Sequence, residues 1–140
     1  MEAASMVIEI IVPGAPVGKA RPRVTRSGHA YTPEKTRAYE QKVKLCWKQQ
    51  SGERFPPGAG ICVEITAYMP IPSSLSMRKQ EALLGAVHLK KPDLDNIIKA
   101  ILDALNGCAY GDDSVIWMIT ASKYYGRVPQ VRIRLTGETD

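Results

Sequence analysis

The order of periodicities along this chain predicts a single small α+β domain: one mixed β-sheet with helices packed mainly on one face. Three observations carry that expectation. Residues 7–12, 61–69, 114–125 and 130–135 are rich in β-branched, aromatic and other apolar residues, and two of these stretches alternate apolar with polar. Two longer stretches, 33–50 and 94–105, repeat their apolar residues at the 3.6-residue spacing of a helix. The length, 140 residues, suits one hydrophobic core and not two.

Taken in order, Val7–Val12 is apolar enough to be a strand buried over most of its length. Pro13 to Pro16 breaks it. Gly18–Gly28 holds two glycines, Pro22 and the bases Lys19, Arg21, Arg23 and Arg26, so it predicts an exposed loop or irregular hairpin. It is not a phosphate-binding P-loop, because no Gly-Lys-Ser/Thr follows. Thr32 supplies a capping hydroxyl and Pro33 a first helical residue for a helix whose stripe is Tyr39, Val43, Cys46, Trp47 and Gln50. Trp47 reads as core packing rather than a base-stacking platform, and Ser51-Gly52 ends the helix. Pro56–Gly60 is a surface link. Ile61–Met69 alternates cleanly, as a half-buried strand does. Met77–Leu84, capped by Ser76 and ended by Gly85, is a short helix.

In the next helix, Leu94, Ile97, Ile98, Ile101, Leu102 and Leu105 form one apolar stripe, and Asn106-Gly107 is a helix stop. Ser114–Tyr125 predicts a long strand that Gly126–Pro129 turns back into Gln130–Leu135 as a β-hairpin. The domain is expected over residues 6–136, with flexible ends at 1–5 and 137–140.

The net charge is +5, and residues 19–48 hold nine bases against two acids. Such a segment is either a solvated face or the footprint of a polyanion, and nucleic acid is the favoured partner. The three cysteines, Cys46, Cys62 and Cys108, are widely spaced without a Cys-x-x-Cys, so free thiols are expected rather than a zinc site or disulfides. Any metal would then be held by oxygens, which favours Mg²⁺, with Mn²⁺ as the substitute. No apolar run approaches the 18 residues of a membrane span. The leading Met-Glu-Ala-Ala-Ser-Met has an acid where a secretory signal carries bases, so a cytoplasmic protein is expected.

The chemistry concentrates on the polar side of the 94–105 helix. Asp95, Lys99 and Asp103 follow at i, i+4 and i+8, with Asn96 on the same side. Asp93 lies just before the first turn. Taken singly, each has a bland explanation: an N-cap, an acid favoured by the helix dipole, a surface ion pair worth about 0.3–0.5 kcal/mol. Asp112-Asp113, directly before a strand, could be only a turn. Together they form a candidate oxygen-ligand metal site, if the loop 107–112 folds back so that a third carboxylate meets Asp93 and Asp95.

The run Lys91-Pro-Asp-Leu-Asp-Asn-Ile-Ile-Lys, then Asp103-Ala-Leu-Asn-Gly, then Gly-Asp-Asp-Ser resembles the RusA family of Holliday junction resolvases. The likeness covers most of residues 6–136, with the central stretch diagnostic. It implies Mg²⁺-dependent cleavage of four-way branched DNA by paired symmetrical nicks, in recombination and repair, by a homodimer. It assigns Asp93, Asp95, Lys99 and one of the later aspartates to the active site, and puts DNA-binding bases in the 18–28 loop. Of the pair, Asp113 is preferred as the ligand, with Asp112 close behind. Lys99 suits the developing charge on phosphorus or the leaving oxygen, and Asp103 would pair with Lys99 and orient it.

Other classes compete. A nucleotide-sugar Asp-x-Asp site would need a longer chain and leave the basic loop unexplained. A phosphohydrolase of the Asp-x-Asp-x-Thr type lacks its threonine here. A non-catalytic basic DNA-binding module, with acids that merely cap helices, is the rival from a different class.

Overall fold

The structure, a computed structural model, describes residues 4–139. Its organising strand is β4 (Ile61–Met69), where Ile61, Val63, Ile65, Ala67 and Met69 all point into the core as the alternation predicts. Strand β6 (Gln130–Thr139) runs antiparallel along one edge of β4, and β5 (Ile116–Tyr125) runs parallel along the other. Strand β1 (Ala4–Pro13) completes the mixed sheet beside β6, giving the order β1-β6-β4-β5. The register lines up Ile10, Ile133, Ile65 and Ala121 in one row across the sheet.

Two helices cover the inward face: α1 (Glu34–Gln50) toward β1 and α3 (Leu94–Leu105) toward β5, packed against each other. Helix α3 buries Ile97, Ile101 and Leu105 completely. Each such side chain is worth roughly 1.5–3 kcal/mol, several times any ion pair on the polar side, so the apolar stripe fixes the helix's rotation. Helix α1 buries Thr36, Tyr39, Val43, Cys46 and Trp47, and the Trp47 indole donates to the Glu53 carbonyl at 2.9 Å. Gln50 stays outside the core. Its amide accepts from Ile11 N and donates to Ile11 O, standing in for a neighbouring strand at the β1 edge. A short helix, α2 (Met77–Leu83), is capped by Ser76 as expected. The basic segment forms a small exposed ribbon, β2 (Arg23–Val24) with β3 (Ala30–Tyr31).

Four expectations need correction. The last two strands are not a hairpin, because β4 lies between them. The link after Tyr125 crosses the end of β4 at contact distance: Gly126 N donates to Met69 O, and a Cβ on Gly126 would lie 2.8 Å from Tyr68 Cβ. The strand with the strongest buried pattern takes the centre, and the two sequence neighbours flank it. Second, Pro33 itself is the N-cap of α1, its carbonyl accepting from Thr36 N and Arg37 N, so Thr32 does not cap. Third, Ser114 and Val115 belong to a 3-10 turn before β5 begins. Fourth, the expected frayed end is strand: β6 continues through Gly137, paired to Met6, and on to Thr139 opposite Ala4. Of the ends expected to be flexible, residues 1–3 and 140 lie outside the described residues.

Gly137 is buried under Phe55, a core residue that directly precedes the Pro56–Gly60 link and belongs to no periodic stretch. A Cβ there would stand 2.5 Å from Phe55 Cδ1 and 2.8 Å from Ile61 Cδ1. Gly137→Ala should therefore lower the unfolding free energy by about 1–3 kcal/mol, measured by urea denaturation. An unchanged midpoint would mean that the C-terminal end of β6 is not part of the packed core.

Candidate active site

Helix α3 begins where an extended segment, Lys90–Asp93, enters it. Asp93 is the N-cap with extended backbone, and its carboxylate makes no capping bond to the helix. It faces solvent beside the Lys91 ammonium, 3.5 Å away. Asp95 is exposed in the first turn. The two carboxylates thus stand exposed at a helix N-terminus, whose dipole favours negative charge, with only Asp93 paired, to the exposed Lys91.

What holds this entry in place was not evident from the sequence. Lys123 lies on β5 at a position whose neighbour Ala67 is wholly buried. Its ammonium donates to the carbonyls of Lys90 at 2.6 Å and Pro92 at 2.7 Å. The signal was present, since a lone lysine in the uncharged run Ile116–Tyr125 needs a partner. His88 N donates to the Lys123 carbonyl, bringing a second strip of chain along the outer edge of β5.

Lys99 is exposed one turn after Asp95 and lies 3.8 Å from Asp103, the partner expected of it. Asp103 is also gripped from the other side by Lys19, at 3.2 Å, whose ammonium in turn meets Glu40 of α1 at 2.5 Å. Burial alone would lower the pKa of Lys19. The hydrogen bonds and charges of Glu40 and Asp103 outweigh it and hold the group above the usual 10.5. Lys19 thus differs from Arg21, Arg23 and Arg26, with which the sequence reading grouped it. Its side chain is only 15% exposed and already paired, whereas the other three lie on the open arm.

The later pair lies elsewhere. Asp112 caps the 3-10 turn by accepting from Ser114 N at 3.2 Å, and the Ser114 side chain and main chain hold it below the usual carboxylate range. Asp113 Oδ1 lies 3.1 Å from the phenol of Tyr110, which is also 3.1 Å from the Leu102 carbonyl. The phenol has one proton and donates to one of them at a time. Burial, reinforced by Asp113, raises the Tyr110 pKa so far that this proton is retained. Asp113 is therefore anchored beside the far end of α3. Leu102 is seven residues beyond Asp95, about 10 Å along the axis. Among the described residues no three Asp, Glu, His or Cys side chains approach closely enough to hold a metal ion. The expected folding back of the 107–112 loop, bringing Asp113 onto Asp93 and Asp95, does not occur within one chain. Asp93 and Asp95 have the donor chemistry for a hard cation such as Mg²⁺, but they are two ligands and not three.

A depression on the bare face of the sheet is less suited to a polyanion. Its acids Glu9 and Glu64 pair with Arg132 and Arg134 at 3.4–3.7 Å, so its charges cancel.

The family model of endodeoxyribonuclease RusA matches residues 13–136. Among curated proteins, the uncharacterized protein YqaN of Bacillus subtilis (strain 168) is 34% identical over 135 residues, 91% of this chain and 94% of that protein.

Near the helix entry, His88 is buried against Tyr125, ring centroids 4.7 Å apart, and its Nδ1 has no protein partner among the described residues. Burial first, then the charges of Lys123 and Lys90, lower its pKa below 6.5. A base depressed in this way takes up fewer protons folded than unfolded. Its contribution to stability is complete above about pH 6.5 and is lost as the pH falls toward the folded value. The urea midpoint should thus fall more steeply as the pH drops below about 6.5 in the native protein than in His88→Gln. Parallel pH profiles would contradict this environment for His88.

Proposed function

The chain belongs to the RusA endodeoxyribonuclease family, and from that premise we propose that it is a Mg²⁺-dependent, structure-specific nuclease that resolves Holliday junctions by paired symmetrical nicks. Its setting is the recombination and repair of DNA in the cytoplasm. The observation that carries this reading is the head of α3: two exposed carboxylates, Asp93 and Asp95, with the Lys99 ammonium one turn on and the basic arm alongside.

The third ligand is best supplied by a second copy. Helix α3 runs antiparallel to β5: Lys123, late in β5, touches the helix entry, while Tyr110 ties Asp113, just before β5, to Leu102 near the helix end. Strand β5 is also an open edge. Its last residues are covered by residues 85–88, but Trp117, Met118 and Ile119 are 68%, 44% and 42% exposed. By alternation from Lys123 and Tyr125, the main-chain groups of Ile119 and Ala121 point outward. Natural proteins rarely leave an edge like the uncharged stretch Ile116–Ser122 unpaired. Antiparallel pairing of two β5 strands about a two-fold axis near Ile119 would set Ile116 of the partner subunit opposite Ser122. That brings Asp113 of the partner subunit toward the Lys123 end, where Asp93 and Asp95 lie. A two-fold enzyme of this form suits a two-fold junction.

In the assembled site Asp93, Asp95 and the partner's Asp113 would hold Mg²⁺ or Mn²⁺, with Asp112 of the partner the less suitable neighbour. The bound ion supplies Lewis-acid polarisation of the scissile phosphate and a water acidic enough to attack near neutral pH. Lys99 balances charge developing on the phosphate oxygens or the leaving oxygen, held on station by Asp103, which Lys19 and Glu40 orient in turn. Arg21, Arg23 and Arg26 grip backbone phosphates and carry most of the salt-dependent affinity. Lys19 belongs to the positioning network and not to this surface.

The direct test uses a synthetic four-way junction. Asp95→Asn should lose Mg²⁺-dependent nicking by a factor of at least about a hundred while still binding the junction, as expected when a charged group at the reacting centre is removed. If Asp95→Asn cuts at the native rate, the metal site has been assigned wrongly.

A further inference from the structure

Resting on the nuclease reading above, we propose that the cleft between the basic arm and the head of α3 seats one unstacked nucleotide beside the cut, and that the Asn96 carboxamide reads its base. The cleft measures about 490 Å³, within the usual range for a small-ligand pocket and enough for a single nucleotide. It opens directly beside Asp93. Its walls and its rim differ in a way that matches the two halves of a nucleotide. Pro16, Pro33 and Pro92 give apolar ring surfaces against which a base can lie, while Arg23, Lys35 and Lys91 supply cations for the adjoining phosphates.

The floor of the cleft is built to close tolerance. Gly18 approaches α3 so nearly that a Cβ on it would lie 2.9 Å from Pro92 Cβ and 3.1 Å from Asn96 Cβ. The approach is fixed by Lys19 N donating to Asn96 O at 2.8 Å, and by Ala20 N donating to Thr36 Oγ1 at 3.2 Å. The base of the arm is therefore docked, although its tip is open.

Asn96 stands apart from the other polar groups of this helix face. Lys99 and Asp103 are paired and Asp95 is charged and exposed, whereas the neutral Asn96 carboxamide is half-buried in the cleft wall and its side chain has no protein hydrogen-bond partner among the described residues. A carboxamide offers one donor and one acceptor at the spacing of a base edge, and carries no charge that a phosphate would seek or repel. At this position it can discriminate between bases without contributing to the salt-dependent affinity.

Two measurements on one set of junctions test the proposal. The junctions vary the base pairs at the crossover, and 2-aminopurine replaces each base flanking the crossover in turn. Native protein added in EDTA should brighten one 2-aminopurine position, and in Mg²⁺ the ratio of nicking between the most and least favoured crossover sequences should shrink by about tenfold in Asn96→Ala. If no flanking position brightens, no nucleotide is seated and the cleft proposal is wrong. If the sequence ratio is unchanged in Asn96→Ala, the reading role of Asn96 is wrong. Brightening needs no cleavage, so a protein that brightens the probe but never nicks in Mg²⁺ would overturn the nuclease reading while upholding the seat.

Discussion

The antiparallel set of α3 against β5 is the constraint on which everything else in this molecule depends. It is fastened at both ends by polar groups reaching from one element to the other: the Lys123 ammonium on the carbonyls before the helix, and the Tyr110 phenol between the Leu102 carbonyl and Asp113. Charge-assisted bonds to main-chain oxygens are strong and directional, so they fix where the helix begins and not only that it packs. One outcome is that the carboxylates before the helix and the carboxylate before the strand are held at opposite ends of the same rod. Among the described residues no third acid joins Asp93 and Asp95 within one chain, and the proposed function therefore draws Asp113 from a second copy across the exposed Trp117–Ile119 edge of β5.

The positive charge of the chain divides by the same logic. Lys19 faces inward, its ammonium between Glu40 and Asp103, and it links the arm to both helices. The arm beyond it carries Arg21, Arg23 and Arg26 in the open, where a polyanion can reach them. On the far side of the sheet Arg132 and Arg134 are matched by Glu9 and Glu64. The unpaired bases of the arm thus lie beside the head of α3, where Asp93 and Asp95 are exposed, and this is the side that the proposed function turns toward DNA.

Wherever a residue's environment followed from its immediate neighbours, the sequence was sufficient. The alternation of β4 appears at the predicted residues, and in α3 the predicted Ile97, Ile101 and Leu105 are buried, while Leu94, Ile98 and Leu102 are half-buried and the small Ala100 and Ala104 complete the buried face. The resemblance likewise named the family whose model matches residues 13–136. What periodicity does not encode is pairing across distance. It could not tell that β4 would separate β5 from β6, since adjacent strands joined by a Gly-Pro turn look like a hairpin until a third strand competes for the same edge. It could not tell Lys19 from Arg21, because only the folded contact with Asp103 distinguishes an anchoring base from a free one. The position of Asp113 depended on Tyr110, an aromatic with no periodic signal of its own.

The most direct test of the central claim mixes two inactive proteins. Asp95→Asn and Asp113→Asn are each prepared alone, then combined under conditions that exchange subunits, and assayed for nicking of a four-way junction in Mg²⁺. If the carboxylates meet across two copies, the mixed dimer contains one site with both residues intact, and nicking returns at roughly a quarter of the native number of sites. If each chain builds its own site, every site in the mixture lacks one carboxylate, no activity returns, and the shared-site account is contradicted.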